Sequence, residues 1–227
     1  RRALVTLAAS GLSLPIAIRM ALAQSTSSSS GNVPVQGMRS LQGNVRVNGQ
    51  RAQDGTVVKA GVTGRTASRA VAMFVVGQDA FLMRGGTHAQ FQGAGDGSNV
   101  DIDTKRILTG KLMGVFAHGG ERHLVTPTAY IGIRGTGCYL EAQRDRTYFC
   151  LCYGSVDIAS ADGSVKDSYS TTHHESPRYI YNSSGPRHRA AIRPASVVNH
   201  TDAELIMLEA LVGRTPPASF MDSPDKY

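Results

Sequence analysis

Three cysteines and two adjacent histidines are the residues in this 227-residue sequence whose types suit metal or redox chemistry. Cys150 and Cys152 form a Cys-x-Cys pair, and Cys138 precedes them across a hydrophilic stretch typical of a hairpin turn. In a regular strand, residues two apart project from the same face. A hairpin centred on Arg144 places Cys138 opposite Cys150 or Cys152 in two registers and opposite Leu151 in a third. The first two registers predict that three sulfur atoms converge.

Two imidazoles and a carboxylate follow the cysteines in the run Thr172-His173-His174-Glu175. If this segment lies beside the cysteine strand, one histidine completes a Cys₃His set, since His173 and His174 point to opposite faces of extended backbone. Such a set suits zinc, copper or an iron centre. The same residues also allow a cross-strand disulfide with one thiol left over, or three cysteines that only fill the core.

The motifs of the common nucleophilic and nucleotide-dependent enzymes are missing from the sequence. It contains no Gly-x-Ser-x-Gly elbow, no phosphate-binding loop and no dinucleotide fingerprint. No nucleophile has a base at a recognisable spacing. We therefore expect a protein without catalytic activity of its own.

The elements that position these residues are predicted to be short strands. Glycine is frequent, at 25 residues, and apolar residues occur in short clusters separated by turn sequences. Many short strands at 8–12-residue spacing are typical of an all-β sandwich or β-roll. The absence of helical patterns between them excludes a parallel α/β fold. The predicted strands around the cysteines are Val100–Leu108, Lys111–Phe116, Ala129–Arg134, Cys138–Ala142, Thr147–Tyr153 and Ser155–Ile158.

One helix is predicted near the end of the chain, over residues 202–212. Thr201 and Glu204 have the spacing of a capping box, and Gly213 provides a left-handed stop. Apolar residues then fall on one side of the helix. We expect this helix to pack over one open end of the β-structure.

The first 23 residues resemble an export signal. Arg1 and Arg2 precede an apolar run, and Ala21-Leu22-Ala23 has the form of a signal-peptidase site. Residues 24–36 are rich in serine and are predicted to be a flexible leader. These features predict a periplasmic protein, with an uncleaved membrane anchor as the alternative.

The positive charge does not indicate nucleic-acid binding. The sequence carries 24 Lys and Arg against 17 Asp and Glu, a net charge of +7. Most of the arginines are dispersed, whereas nucleic-acid binders concentrate basic residues on one face and often interleave aromatic ones. We expect a solvated, mildly basic surface and no nucleic-acid partner.

Several motifs together resemble the FecR domain family. They are Gly43-Asn44-Val45-Arg46-Val47-Asn48-Gly49, the stretches 54–61, 76–81 and 125–137, and Gly154-Ser155-Val156-Asp157-Ile158. The most specific piece runs from Thr126-Pro127 to Gly135-Thr136. The resemblance covers about residues 40–160 and leaves a C-terminal extension, residues 161–220. It implies a periplasmic all-β module. The best-known members of that family receive a signal from an outer-membrane transporter and pass it to a cytoplasmic sigma factor.

The resemblance implies an exported, non-catalytic binding or signalling-associated module whose partner is an envelope protein or a small ligand. Within its motif, Arg134 is a candidate ligand contact, and the alternative is that the whole stretch is a structural corner. Two other functions are consistent with the residues. One is a periplasmic metal-binding or redox protein that uses the cysteines and histidines, and the other is a structural domain of the envelope.

Overall fold

A computed structural model describes residues 34–94, 101–120, 122–183 and 190–221. The predicted export signal and the leader up to residue 33 lie outside these ranges. Within them the chain forms fourteen β-strands, one α-helix and a short 3-10 helix. This confirms the predicted all-β fold with one C-terminal helix. None of the described helices is long and apolar enough to span a bilayer.

The strands are numbered here in chain order. They are β1 (Gly37–Gln42), β2 (Val45–Val47), β3 (Gln50–Arg51), β4 (Val62–Thr66), β5 (Val71–Val76), β6 (Asp79–Met83), β7 (His88–Ala94), β8 (Asp101–Val115), β9 (Arg122–Val125), β10 (Ala129–Ala142), β11 (Arg146–Ser160), β12 (Lys166–Thr171), β13 (Arg178–Tyr181) and β14 (Ala191–Pro194). The α-helix, α1, spans Asp202–Leu211, and the 3-10 helix spans Ala218–Phe220.

All fourteen strands belong to one sheet, and its main path runs β14-β13-β11-β10-β9-β8-β7-β4-β2-β3. Strands β6, β5 and β1 branch from the second half of β8, and β12 pairs with β11 beside β13. The described pairings are antiparallel except for β8 with β9. Strands after residue 160 therefore extend the same sheet that contains the FecR-like motifs.

The sheet doubles back on itself around a core of phenylalanine side chains. Phe74 on β5 and Phe91 on β7 lie on strands that do not pair, yet their ring centroids are 5.4 Å apart in an edge-to-face arrangement. Phe81 stacks on Phe74 at 5.3 Å and meets Phe116 edge-on at 5.5 Å. Side chains from strands that do not pair therefore enclose one core, although all fourteen strands belong to a single sheet.

Three pairs of predicted strands are single long strands in the structure. The pairs on either side of Gly110, Gly135 and Gly154 merge into β8, β10 and β11; Val100, at the start of one predicted strand, lies outside the described residues. Glycine is needed at all three bends. Gly110 has φ +101°, and a Cβ there would lie 2.3 Å from the Thr87 backbone. Gly135 has φ +55°, and a Cβ there would lie 2.6 Å from His118; Gly154 has φ +99° and a Cβ would lie 2.5 Å from Thr136.

The capping box predicted for α1 is present. The Thr201 hydroxyl accepts a hydrogen bond from the Glu204 N–H at 3.3 Å, and the Glu204 carboxylate accepts one from the Thr201 N–H at 3.1 Å. Gly213 has φ +69°, and the backbone turns there as the sequence predicted. The helix ends at Leu211, with Val212 at the C-cap.

The helix covers a face of the sheet and not an open end, which corrects the predicted position. Leu205 and Leu208 are fully buried. They belong to a second apolar cluster, separate from the inner core, with side chains of β5, β6, β8, β10 and β11. Because this outer face is apolar, it needs a cover, and α1 with the residues around it provides one.

Three buried threonine hydroxyls fix the corner at Pro127. The Thr147 hydroxyl lies 2.6 Å from that of Thr126 and 2.7 Å from that of Thr128. Thr128 also donates to the Ile180 carbonyl at 3.0 Å, and Thr126 accepts from the Ala129 N–H at 3.0 Å. The network joins the corner to β11 and β13.

We predict that Thr147→Val lowers the free energy of unfolding by about 1–3 kcal/mol, because it leaves two buried hydroxyls without their shared partner. Thr109→Val, at an exposed position on β8, serves as the control and is expected to stay within about 0.5 kcal/mol. Urea denaturation of both variants measures the difference. Equal stability of the two variants would show that the hydroxyl network does not stabilise the corner.

Candidate metal centre

The register of the β10–β11 hairpin separates the three cysteines. Cys138 lies opposite Leu151, and both side chains belong to the inner core. Cys150 lies opposite Tyr139, and both belong to the outer cluster under α1. The predicted three-sulfur patch is therefore wrong, because Cys138 faces away from the other two. The same register rules out a cross-strand disulfide from Cys138, and all three thiols are free and buried.

Regular alternation along β11 places Cys152 on the same face as Cys150, and a β-bulge adds Tyr153 to that face. The register steps from Gly137–Tyr153 to Cys138–Leu151, so that Cys152 is the extra residue on β11. Bulges of this kind redirect a side chain without ending the strand. Both sulfur atoms therefore point toward the segment that carries α1.

His174 reaches the thiols from the loop after β12. Its backbone has φ +53°, a conformation uncommon outside glycine, and its N–H donates to the Cys152 carbonyl at 3.0 Å. Glu175 shapes the loop by accepting from the Thr171 hydroxyl at 2.7 Å and the Thr172 N–H at 3.0 Å. Of the two predicted histidines, the structure brings His174 to the thiols, and Glu175 serves the loop.

His200 is the site residue that sequence reasoning missed. It directly precedes the N-cap Thr201, and its ring stacks on Tyr139 with centroids 4.6 Å apart and planes 19° apart. It has no regular spacing from the other ligand types. The sequence contains one indication of its role: His200 directly precedes Thr201, the first residue of a recognisable capping box. That position places His200 at the start of a helix that must be buried on one side.

Four side chains converge at this point. His174 Nδ1 lies 3.1 Å from His200 Nε2 and 3.4 Å from Cys150 Sγ. With Cys152 Sγ, the four donor atoms lie within 4.8 Å of one another, and all four residues are buried. Two sulfurs and two imidazole nitrogens thus face one small volume.

The far side of each imidazole is held by an oxygen acceptor. His174 Nε2 lies 2.8 Å from Asp202 Oδ1, and His200 Nδ1 lies 2.7 Å from the Val198 carbonyl oxygen. His173 Nε2 lies 2.8 Å from the other oxygen of Asp202. Because these acceptors favour a proton on the far nitrogens, Nδ1 of His174 and Nε2 of His200 turn their lone pairs toward each other. Lone pairs at that distance repel unless a cation or a proton lies between them.

The electrostatics of the cluster favour a thiolate at Cys150. Hydrogen bonding from Cys152, followed by that from His174 and His200, outweighs burial and lowers the pKa of Cys150 to about 4. Burial raises the pKa of Cys152 and also that of Cys138. Burial opposes protonation of His174, but hydrogen bonding to Cys150 and Asp202 raises its pKa. Without an ion, the centre therefore favours a Cys150 thiolate beside a protonated His174, and a metal ion would displace that proton.

Cys150, His174 and Asp202 also contact one another in the order of a catalytic triad, in which a thiol nucleophile is followed by an imidazole and a carboxylate. Burial argues against that use. Cys150 and Asp202 are 0% exposed and His174 is 2% exposed. Phe220 packs edge-on against His174 at 5.3 Å. A substrate carbonyl cannot reach the sulfur in this arrangement.

Arg134 lies elsewhere, on the exposed surface. Its guanidinium contacts the Asp157 carboxylate at 2.5 Å, with side-chain exposures of 74% and 50%, and Ser168 donates to the same carboxylate at 2.7 Å. The pair borders a shallow surface cavity of about 310 Å³. This cavity shares no residue with the cysteine–histidine cluster. It is lined by Gly120, Arg122, His123, Gly132, Ile133, Arg134 and Asp157.

Comparison with known proteins finds only distant likeness. No protein-family model matches the sequence. No curated protein is significantly similar to it. Two crystal structures of a candidate anti-sigma factor from Parabacteroides distasonis align with 8% and 9% identity and TM-scores of 0.46 and 0.45. Each alignment covers 59% of this chain and 60% of the other, so the chain spans about three fifths of the length of the structures it matches.

We predict that all three cysteines are free thiols. Denaturing the protein without reductant in the presence of an alkylating agent should add three alkyl groups per chain, as measured by intact mass. A reduced and denatured sample provides the reference mass. Addition of a single group would contradict the structure, because it would mean that two cysteines form a disulfide.

Proposed function

We propose that this chain is a non-catalytic metal-binding module whose ligands are Cys150, Cys152, His174 and His200, and that its ion is Zn²⁺. The observation that carries the proposal is the convergence of four buried donor atoms within 4.8 Å of one another. A Cys₂His₂ donor set is one of the usual structural zinc sets.

The donor spacing is close to that of a tetrahedral site. Zinc lies about 2.0–2.1 Å from histidine nitrogen and about 2.3 Å from cysteine sulfur, so tetrahedral angles place the two nitrogens about 3.3 Å apart and nitrogen and sulfur about 3.5 Å apart. The observed separations are 3.1 Å for His174 Nδ1 to His200 Nε2 and 3.4 Å for His174 Nδ1 to Cys150 Sγ. Along these two separations an ion fits after movements of a few tenths of an ångström, and Cys152 Sγ lies within 4.8 Å of the other three donors.

The donor chemistry selects among metals. Calcium and magnesium prefer oxygen ligands, whereas thiolate and imidazole suit zinc and copper. Zn²⁺ with two thiolates and two neutral imidazoles has no net charge, which favours complete burial because an unpaired buried charge is costly. With four protein ligands and no open position, the ion would serve structure and not catalysis.

The residues behind the ligands support the same assignment. Metal-binding histidines commonly donate their other N–H to a carboxylate or a backbone carbonyl, which fixes the tautomer and the ring orientation. Asp202 and the Val198 carbonyl occupy these two positions for His174 and His200. Asp202 also contacts His173, so the second predicted histidine supports the site from behind.

A second candidate function is a FecR-like, signalling-associated module exported to the periplasm. The motif at residues 125–137 and the export features of residues 1–23 favour it. A metal-stabilised module is compatible with this role. Cell fractionation followed by capture of partners from the native envelope tests it, and recovery of the full-length chain only from the cytoplasm would exclude it.

We predict one zinc ion per chain in the protein purified from its native compartment. Cys150→Ser and His200→Ala should each lower zinc affinity at least about 10-fold, since each removes a ligand. Cys138→Ser is the matched control and should retain zinc, because Cys138 faces the inner core. Elemental analysis and competition with a chromophoric chelator give the stoichiometry and the affinity.

Two results would contradict the assignment. One is a loss of zinc in Cys138→Ser as large as in Cys150→Ser. The other is full retention of zinc in both ligand variants. Cobalt(II) substitution adds an independent readout, since a tetrahedral site with two thiolates gives strong visible and near-ultraviolet bands that Cys150→Ser should weaken.

A further inference from the structure

The ligands of the proposed centre come from two parts of the chain that are otherwise joined by apolar packing and hydrogen bonds. Cys150 and Cys152 lie on β11, and His174 lies in the loop after β12. His200 belongs to the C-terminal segment, defined here as residues 195–221, which carries α1. Asp202, which holds His174 in place, is the first residue of α1. The donor set is complete only while this segment lies on the sheet.

We propose that the metal ion fastens the C-terminal segment to the outer face of the sheet, so that metal occupancy controls how often the segment opens. This inference rests on the proposed metal-binding function. It assigns the site a specific role, which is to close one face of the domain.

The other polar links of the segment lie both in the interior and near the surface. In the interior, Tyr153 donates to the buried Glu209 carboxylate. Tyr148 donates to the Ser196 carbonyl at 3.1 Å and accepts from the Val198 N–H at 3.2 Å.

Other polar links of the segment are partly exposed. Glu204 pairs with Arg84 at 2.5 Å. Asn199 donates to Glu141 at 2.7 Å, and Arg214 donates to the Gln78 carbonyl at 2.5 Å. Partly exposed contacts of this kind stabilise a structure only weakly. These contacts and the buried ones position the segment, and the proposed ion would add coordinate bonds from it to β11 and to the loop after β12.

Apolar packing supplies the rest of the attachment. Leu205, Leu208 and Phe220 are fully buried, against side chains that line the outer face of the sheet. When the segment opens, that face meets water. The exposed set is then Met73, Val75, Leu82, Met113, Val115, Tyr139 and Tyr153.

Thermodynamic linkage predicts how much metal binding reduces the population of the open form. A ligand that binds only the closed form lowers the open population by a factor of 1 + [M]/Kd, where [M] is the free metal concentration. At a free zinc concentration about 100 times Kd, opening becomes up to roughly 100-fold rarer, and the factor shrinks to the extent that the three ligands left on the sheet still bind zinc in the open form. Regions that do not depend on the segment should not change.

Hydrogen–deuterium exchange of the full chain tests the inference, with zinc bound and after removal of zinc by a chelator. Exchange of amides in α1 should become at least 10-fold faster on zinc removal. Exchange in residues 129–134 of β10, which the threonine network holds, should be unchanged. Equal α1 exchange in the zinc-bound and zinc-free protein would overturn the inference, and so would an equal rise in both regions.

A matched variant separates the ligand from the packing at the same position. His200→Phe keeps an aromatic ring for stacking on Tyr139 but removes the donor nitrogen, so α1 exchange should no longer respond to zinc. The wild-type comparison stands alone if this variant does not fold. Failure to find zinc in the wild type would refute the proposed function itself, whereas bound zinc without an effect on α1 would refute only the fastening role.

Discussion

The register between β10 and β11 determines what each face of the sheet carries. A shift of one residue in an antiparallel pair moves every side chain to the opposite face. Cys138 lies opposite Leu151, and Cys152 is the extra residue of a β-bulge. One thiol therefore enters the inner core, and the other two face α1. The cysteine–histidine cluster, the apolar outer face and the position of α1 all depend on this pairing.

Asp202 connects the chemistry of the cluster to the start of the helix. Its two carboxylate oxygens each meet a histidine nitrogen at 2.8 Å, and it occupies the first position of α1. A carboxylate is stabilised at a helix N-terminus by the exposed backbone N–H groups and the helix dipole. The capping box at Thr201 and Glu204 fixes the same turn. The local rules that begin a helix therefore also orient the groups that face the thiols.

The sequence predicted those features that local physical rules determine. The all-β class follows from short apolar clusters and turn residues, and α1 from its capping box. Strand ends were predicted less well, because Gly110, Gly135 and Gly154 bend continuous strands where the pattern indicated turns. The thiol pair and His174 were identified from the sequence. The strand register that turns Cys138 away from them depends on the packing of both faces of the sheet, and local patterns do not determine it to one residue. His200 joins the cluster only through the tertiary position of α1, and no spacing rule contains that information.

The Cys-x-Cys pair is better suited to a metal ion than to a disulfide. A disulfide needs sulfur atoms about 2.05 Å apart, whereas two thiolates on one tetrahedral zinc lie about 3.8 Å apart. Residues two apart on a strand are separated by about 6.6 Å along the chain, which disfavours the shorter distance.

If the chain is exported, as its N-terminal residues predict, its thiols must resist oxidation. Burial under α1 and Phe220 shields Cys150 from oxidants, and occupation of both sulfurs by one ion would protect them further.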